Sequence, residues 1–170
     1  MKRIVAILTL ASPLIAAPPA FAADSDPDAA FYKQAAEAGI FEVEAGNQAQ
    51  DKAGSQKVKD FGAMMVKDHT AAGDKLKSLA ASKNISLPSS ASVGQMATKT
   101  KLDVLTGDTY DKSYITGQIK AHQETIALFK KESAAGQDPE AKAFATQTLP
   151  TLQHHLKAAQ SIAAAAGYGG

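Results

Sequence analysis

Apolar residues recur along this chain at the alternating three-and-four spacing of a buried helical stripe. The clearest run is Phe61, Met65, Ala72, Leu76 and Leu79. His69 occupies the same stripe, between Met65 and Ala72, where a leucine would be ordinary. The periodicity and its punctuation predict four long helices. The first starts at Asp26 as N-cap with Pro27 at the first helical position and runs to about Lys52. Gly54 stops it, and Ser55 caps a second helix from about Gln56 to Lys83. After the turn-rich stretch NISLPSS comes a short helix, Ser92 to Leu105, ended by Gly107. Asp108 or Thr109 caps the third long helix, which runs to about Ser133. Beyond Gly136, Asp138 and Pro139 repeat the cap-then-proline device for the fourth, which runs to about Ala166.

The fold class predicted is all-α, a four-helix bundle. Tight turns make the first two and the last two long helices antiparallel pairs. The longer connection between the second and third, carrying the short extra helix, permits a crossover; a plain up-down bundle is the competing topology.

Each long helix carries one ionisable residue on its inward stripe. In the first, Phe31, Ala35, Ala38, Ala45 and Ala49 surround Glu42. In the second the odd member is His69. In the third, Ile115, Ile119, Ile126 and Phe129 flank His122. In the fourth, Ala141, Ala145, Thr148, Leu152, Ala159 and Ile162 flank His155. His154 falls outside the stripe and reads as a solvated neighbour. With the turns at Gly54 and Gly136 taken to lie at one end of the bundle, Glu42 is 12 residues from its turn, His69 15, His122 14 and His155 19. A spread of seven residues in this numbering is roughly 10 Å, with His155 the outlier.

One Glu and three neutral imidazoles facing one another suit a divalent transition metal such as zinc, iron, manganese or copper. An internal hydrogen-bond network of the same four residues is the cofactor-free alternative. The small residues of the first helix leave space for a metal, for waters or for a close helix contact. Asp68 points about 100° away from His69 around the helix, which suits a solvated or inter-helix ion pair or a supporting contact to a ligand. Asp111 lies where the helix dipole favours an acid. Asp111 and Tyr114 open the third long helix, far in height from His122. Pro150, inside the fourth helix, removes a backbone hydrogen bond, frees the carbonyl of Thr146 and should kink the helix ahead of His155.

Composition narrows the setting. Met1-Lys2-Arg3 is a positive start, Ile4 to Ala17 an apolar run, and Ala20-Phe21-Ala22 an A-x-A cleavage site. This predicts a signal peptide over residues 1–22 and a single helical domain over 23–170, periplasmic or secreted. Without Lys2 and Arg3 the chain carries 16 basic and 17 acidic residues, a balance that favours neither nucleic acid nor an anionic membrane. It has no cysteine, so disulfides, thiolate metal sites and cysteine nucleophiles are excluded. No second segment is apolar enough to span a bilayer. A homo-oligomer or an envelope protein is the partner the composition leaves open.

The segments FEVEAGNQAQDKAGSQKVKDFGAMMVKDHTAAGDKLKSLA, DTYDKSYITGQIKAHQETIALFKKE and DPEAKAFATQTLPTLQHHLKAAQ resemble the exported bacterial family described as domain of unknown function 4142, often labelled as outer membrane proteins. The resemblance spans about residues 28–163 and is specific at Glu42, Asp68-His69, Asp111 with Tyr114, His122, Pro150 and His155-Leu156. It implies a ferritin-like four-helix fold with the crossover, and no agreed activity. The chain lacks the alternating strands of a membrane barrel, which argues for the periplasm over the outer membrane.

A ferritin-like fold invites a di-iron reading, which the residues oppose. Such sites use Glu-x-x-His motifs, whereas Val66, Ile119 and Leu152 stand three residues before His69, His122 and His155. Nor is there a nucleophile elbow or a phosphate loop. The sequence therefore assigns no catalytic residue and reads against an enzyme. The two leading functions are a periplasmic metal-handling protein and a cofactor-free structural or stress-related module.

Overall fold

A computed structural model describes residues 27–168; the proposed signal peptide and the Asp26 cap lie outside them. The helices are α1 (Pro27–Lys52), α2 (Gln56–Ser82), α3 (Val93–Asp103), α4 (Gly107–Ala135) and α5 (Pro139–Ala166). Boundaries shift by one or two residues from those expected, as frayed ends allow. The largest revision is at α4, whose N-cap is Thr106 rather than Asp108 or Thr109. Gly107 opens α4 instead of ending α3, and its φ of +60° explains the glycine.

The ends obey local chemistry. Ser92 and Gln95 form a capping box at α3, and the Asp138 side chain accepts from Glu140 N–H at 3.0 Å with Pro139 at the first helical position. Asn84, in the left-handed region at φ 57°, closes α2. Ile85 N–H then bonds the Ala80 carbonyl at 2.9 Å, a Schellman turn. Gly167 and Tyr168 repeat that turn after α5. Helix α5 continues through Pro150.

The bundle has one long crossover. Helix α1 packs on α2 and α4, and α5 packs on α4 and α2. The turn after α1 lies against the start of α4, where Gly54 and Ser55 N–H donate to the Asp111 carboxylate at 3.0 and 2.7 Å. The Tyr168 hydroxyl, just past α5, donates to Asp108 at 2.8 Å at the same end. At the opposite end Gln137 N–H donates to Asp28 at 3.0 Å, and Asp138 N–H donates to the same carboxylate. The two tight turns therefore lie at opposite ends, and residues 83–106 return the chain along the full length of the bundle. This corrects the assumption of a shared end. It also assigns Asp111 a role beyond the helix dipole. Buried at 1% exposure, it holds the entrance of α2, where Ser55 sits at the N-cap without a side-chain cap.

Helices α1 and α2 approach backbone to backbone at Gly46 and Gly62. A Cβ on either glycine would stand 2.7 Å from the other's carbonyl oxygen. The small-residue face of α1 is thus used in part for close helix contact, with Ala45 and Ala49 fully buried. The core divides into two apolar clusters. One includes Phe41, Phe61, Met65, Tyr114, Ile115 and Ala159. The other includes Phe31, Leu76, Ile126, Phe129 and Leu152. The three stripe histidines fall between them along α2, α4 and α5, whereas Glu42 of α1 lies beside Phe41 within the span of the first.

Candidate metal centre

With the turns at opposite ends, the heights change. Counted from the end shared by Gly54, Gly107 and Tyr168, Glu42 lies 12 residues in, His69 15, His122 15 and His155 13. The corrected spread of three residues in this numbering is about 4.5 Å, and His155 is no longer the outlier.

His69 of α2, His122 of α4 and His155 of α5 meet in the interior. Their ring centroids are 5.8 Å (His69–His122), 5.3 Å (His69–His155) and 5.4 Å (His122–His155) apart. One nitrogen from each ring lies within 4.8 Å of the others. All three are buried, His122 and His155 at 1% exposure. His154 is exposed, as expected.

Two of the rings are oriented from outside the cluster. His155 Nε2 donates to Asp68 Oδ2 at 2.9 Å. His122 Nδ1 donates to the Gln118 carbonyl at 3.0 Å. Both partners only accept, so each ring keeps its lone pair on the other nitrogen. Those nitrogens, His155 Nδ1 and His122 Nε2, are buried without a hydrogen-bond partner, as is His69 Nε2. His69 has one N–H to offer, and there are two lone pairs to satisfy. Burial, then the neighbouring His122 and His155, hold His69 down at about 3. Burial, then His155, hold His122 down at about 4 against the Gln118 carbonyl. Burial lowers His155 as well, against the pull of Asp68. All three are neutral near pH 7, the form that ligates a metal.

Glu42 does not join them. Its carboxylate is absent from the group of mutually close ligand atoms. It sits at 3% exposure beside α4, where the Gln118 side chain hydrogen-bonds it. Burial pushes it up to about 8, against that hydrogen bond. Tyr114 is its other neighbour, held well above the usual phenol range by burial first and by Glu42 second. The reason is the arrangement of the bundle: α1 and α5 are diagonal, so a side chain of α1 turned toward α4 leaves the His155 side of the interior. Gln118, a full turn before His122, was not singled out in the sequence; its signal is a buried amide on the inward stripe of α4.

Three neutral imidazoles can bind zinc, copper, iron or nickel and leave a further coordination position open. Ligand nitrogens around a tetrahedral zinc stand roughly 3.3 Å apart. Here the three lie within 4.8 Å of one another, wider than that spacing. A void of about 30 Å³ borders His69, His155, Asp68, Thr148 and Phe129.

Fold and site together define an all-α bundle with a three-histidine cluster buried between two apolar halves. The chain belongs to the family described as Domain of unknown function (DUF4142), whose family model matches residues 14–162. No curated protein and no solved structure matches it.

Proposed function

We propose that His69, His122 and His155 hold a divalent transition metal, and that the protein handles such a metal in the bacterial envelope after export. The observation that supports this most is the pair of lone-pair nitrogens, on His122 and His155, aimed into one buried cluster by outside hydrogen bonds. A hydrogen-bond network among three rings with one free N–H leaves one of them unsatisfied; a metal ion satisfies all three. The Asp68–His155 contact is the carboxylate–histidine support that metal-binding imidazoles commonly have. Export is supported by the leader pattern of residues 1–22. Among the described residues no helix is long and apolar enough to cross a membrane.

A cofactor-free module is the second reading. It is favoured by the void of about 30 Å³ beside His69 and His155, room for a water that accepts from His69 and donates to His155. The experiment that separates them is metal retention by the double variant His69→Ala, His122→Ala. The metal reading expects retention to be lost with helix content preserved; metal content equal to that of the parent protein contradicts it.

A further inference from the structure

A second polar constellation lies across α4 from the histidines. Helices α1, α3 and α4 border a half-open cavity of about 520 Å³, within the range of small-molecule sites. Glu42, Tyr114 and Gln118 line it. They are 3%, 1% and 2% exposed. Each has a buried atom without a partner: Glu42 Oε2, the Tyr114 hydroxyl and Gln118 Oε1. Buried polar atoms are nearly always satisfied, so three orphans around one cavity mark a place built to receive donors.

The charge and shape of the lining select the class of ligand. Glu37, Glu42 and Glu124 face a single basic group, Lys120. That lysine is largely exposed and stands 3.9 Å from Glu124. An anion brings no N–H for the orphaned Glu42 and Gln118 oxygens. A wholly apolar ligand would leave all three atoms orphaned. An ammonium group carries three N–H donors and a positive charge, and Phe41 and Tyr114 add aromatic walls that suit a cation. We propose that this cavity binds a small organic cation bearing a primary ammonium, which donates to Glu42 Oε2, Gln118 Oε1 and the Tyr114 oxygen while its carbon chain lies along Leu102 and Leu128. The site does not depend on a metal at the histidines, although Gln118 serves both, through its carbonyl and its side chain.

The test is calorimetric titration of the purified protein with n-butylamine and cadaverine, and with n-butanol and butyrate as neutral and anionic chains of equal length to the first. Saturable binding of the amines, and of neither control, is expected. Burial keeps the Glu42 carboxyl protonated near pH 7 in the empty cavity, and its proton passes to solvent when the ammonium binds. Glu42→Gln keeps the shape, removes the carboxylate formed in the complex, and should weaken amine binding about tenfold or more. Tyr114→Phe should weaken it roughly threefold and serves as the second probe should Glu42→Gln misfold. His69→Ala should leave amine binding unchanged. Butanol binding as tightly as butylamine, no saturable amine binding, folded Glu42→Gln or Tyr114→Phe with undiminished affinity, or loss of amine binding in His69→Ala would each overturn the proposal.

Discussion

Asp68 of α2 accepts a hydrogen bond from the buried His155 ring of α5 at 2.9 Å. Its own side chain is 30% exposed, so it ties the inner layer to the surface across a helix–helix boundary. It fixes which nitrogen of His155 faces the cluster. Replacing it tests the proposed metal site without touching any of the three histidines. Asp68→Asn should keep the helical signal and weaken zinc affinity about 10–100-fold, measured by competition with a zinc chelator. Unchanged affinity would show that the contact serves packing alone.

The Gly46–Gly62 crossing makes a stability prediction. In Gly62→Ala the new methyl meets backbone, the Gly46 carbonyl at 2.7 Å, so the helices must separate. Destabilisation of about 1–3 kcal/mol is expected from urea unfolding. A surface control, Gly73→Ala, has open space around its Cβ; it should be neutral or slightly stabilising, since alanine favours a helix.

The turn between α1 and α2 depends on a residue more than fifty positions away. Asp111→Ala removes the acceptor of two backbone N–H groups. The loss should be about 2–3 kcal/mol, with faster hydrogen exchange at the Gly54 and Ser55 amides. Exchange at those amides equal to the parent's would contradict the assignment.

The polar layer should make the metal-free protein sensitive to pH in two opposite directions. Glu42 is raised by burial from 4.5 to about 8. The unfolded chain therefore releases its proton first, and stability falls as pH rises from about 5 to 8. His69 and His122 are lowered by burial to about 3 and 4. There the unfolded chain takes up protons first, so stability falls as pH drops below about 6.5. Glu42→Gln should remove the alkaline loss and keep the acid one. Melting temperatures of parent and variant between pH 5 and 8 check this: the gap in favour of the variant should widen as pH rises.

Much of this was legible in the sequence, and the reasons differ by residue. Periodicity and caps place the helices because those signals are local, as Asp138-Pro139 shows. The three histidines were visible because each interrupts an apolar stripe. The placement of the turns was not visible, because the length of the connection from Lys83 to Thr106 does not say which end it reaches. That one assumption made His155 an outlier in height. Glu42 shares the stripe pattern, but an inward stripe faces two neighbouring helices, and the choice of α4 is made by packing. Asp111 and Asp28 act on backbone groups distant in sequence, for which no local pattern exists.

The central claim is tested most directly by the metal content of untagged protein, purified from the periplasm without chelator and measured by mass spectrometry. Near-stoichiometric zinc, copper, iron or manganese, lost in the His69→Ala, His122→Ala variant, is the result expected. Metal-free protein that also binds none of these ions on titration would contradict it, and would leave the three histidines as an interior hydrogen-bonded layer.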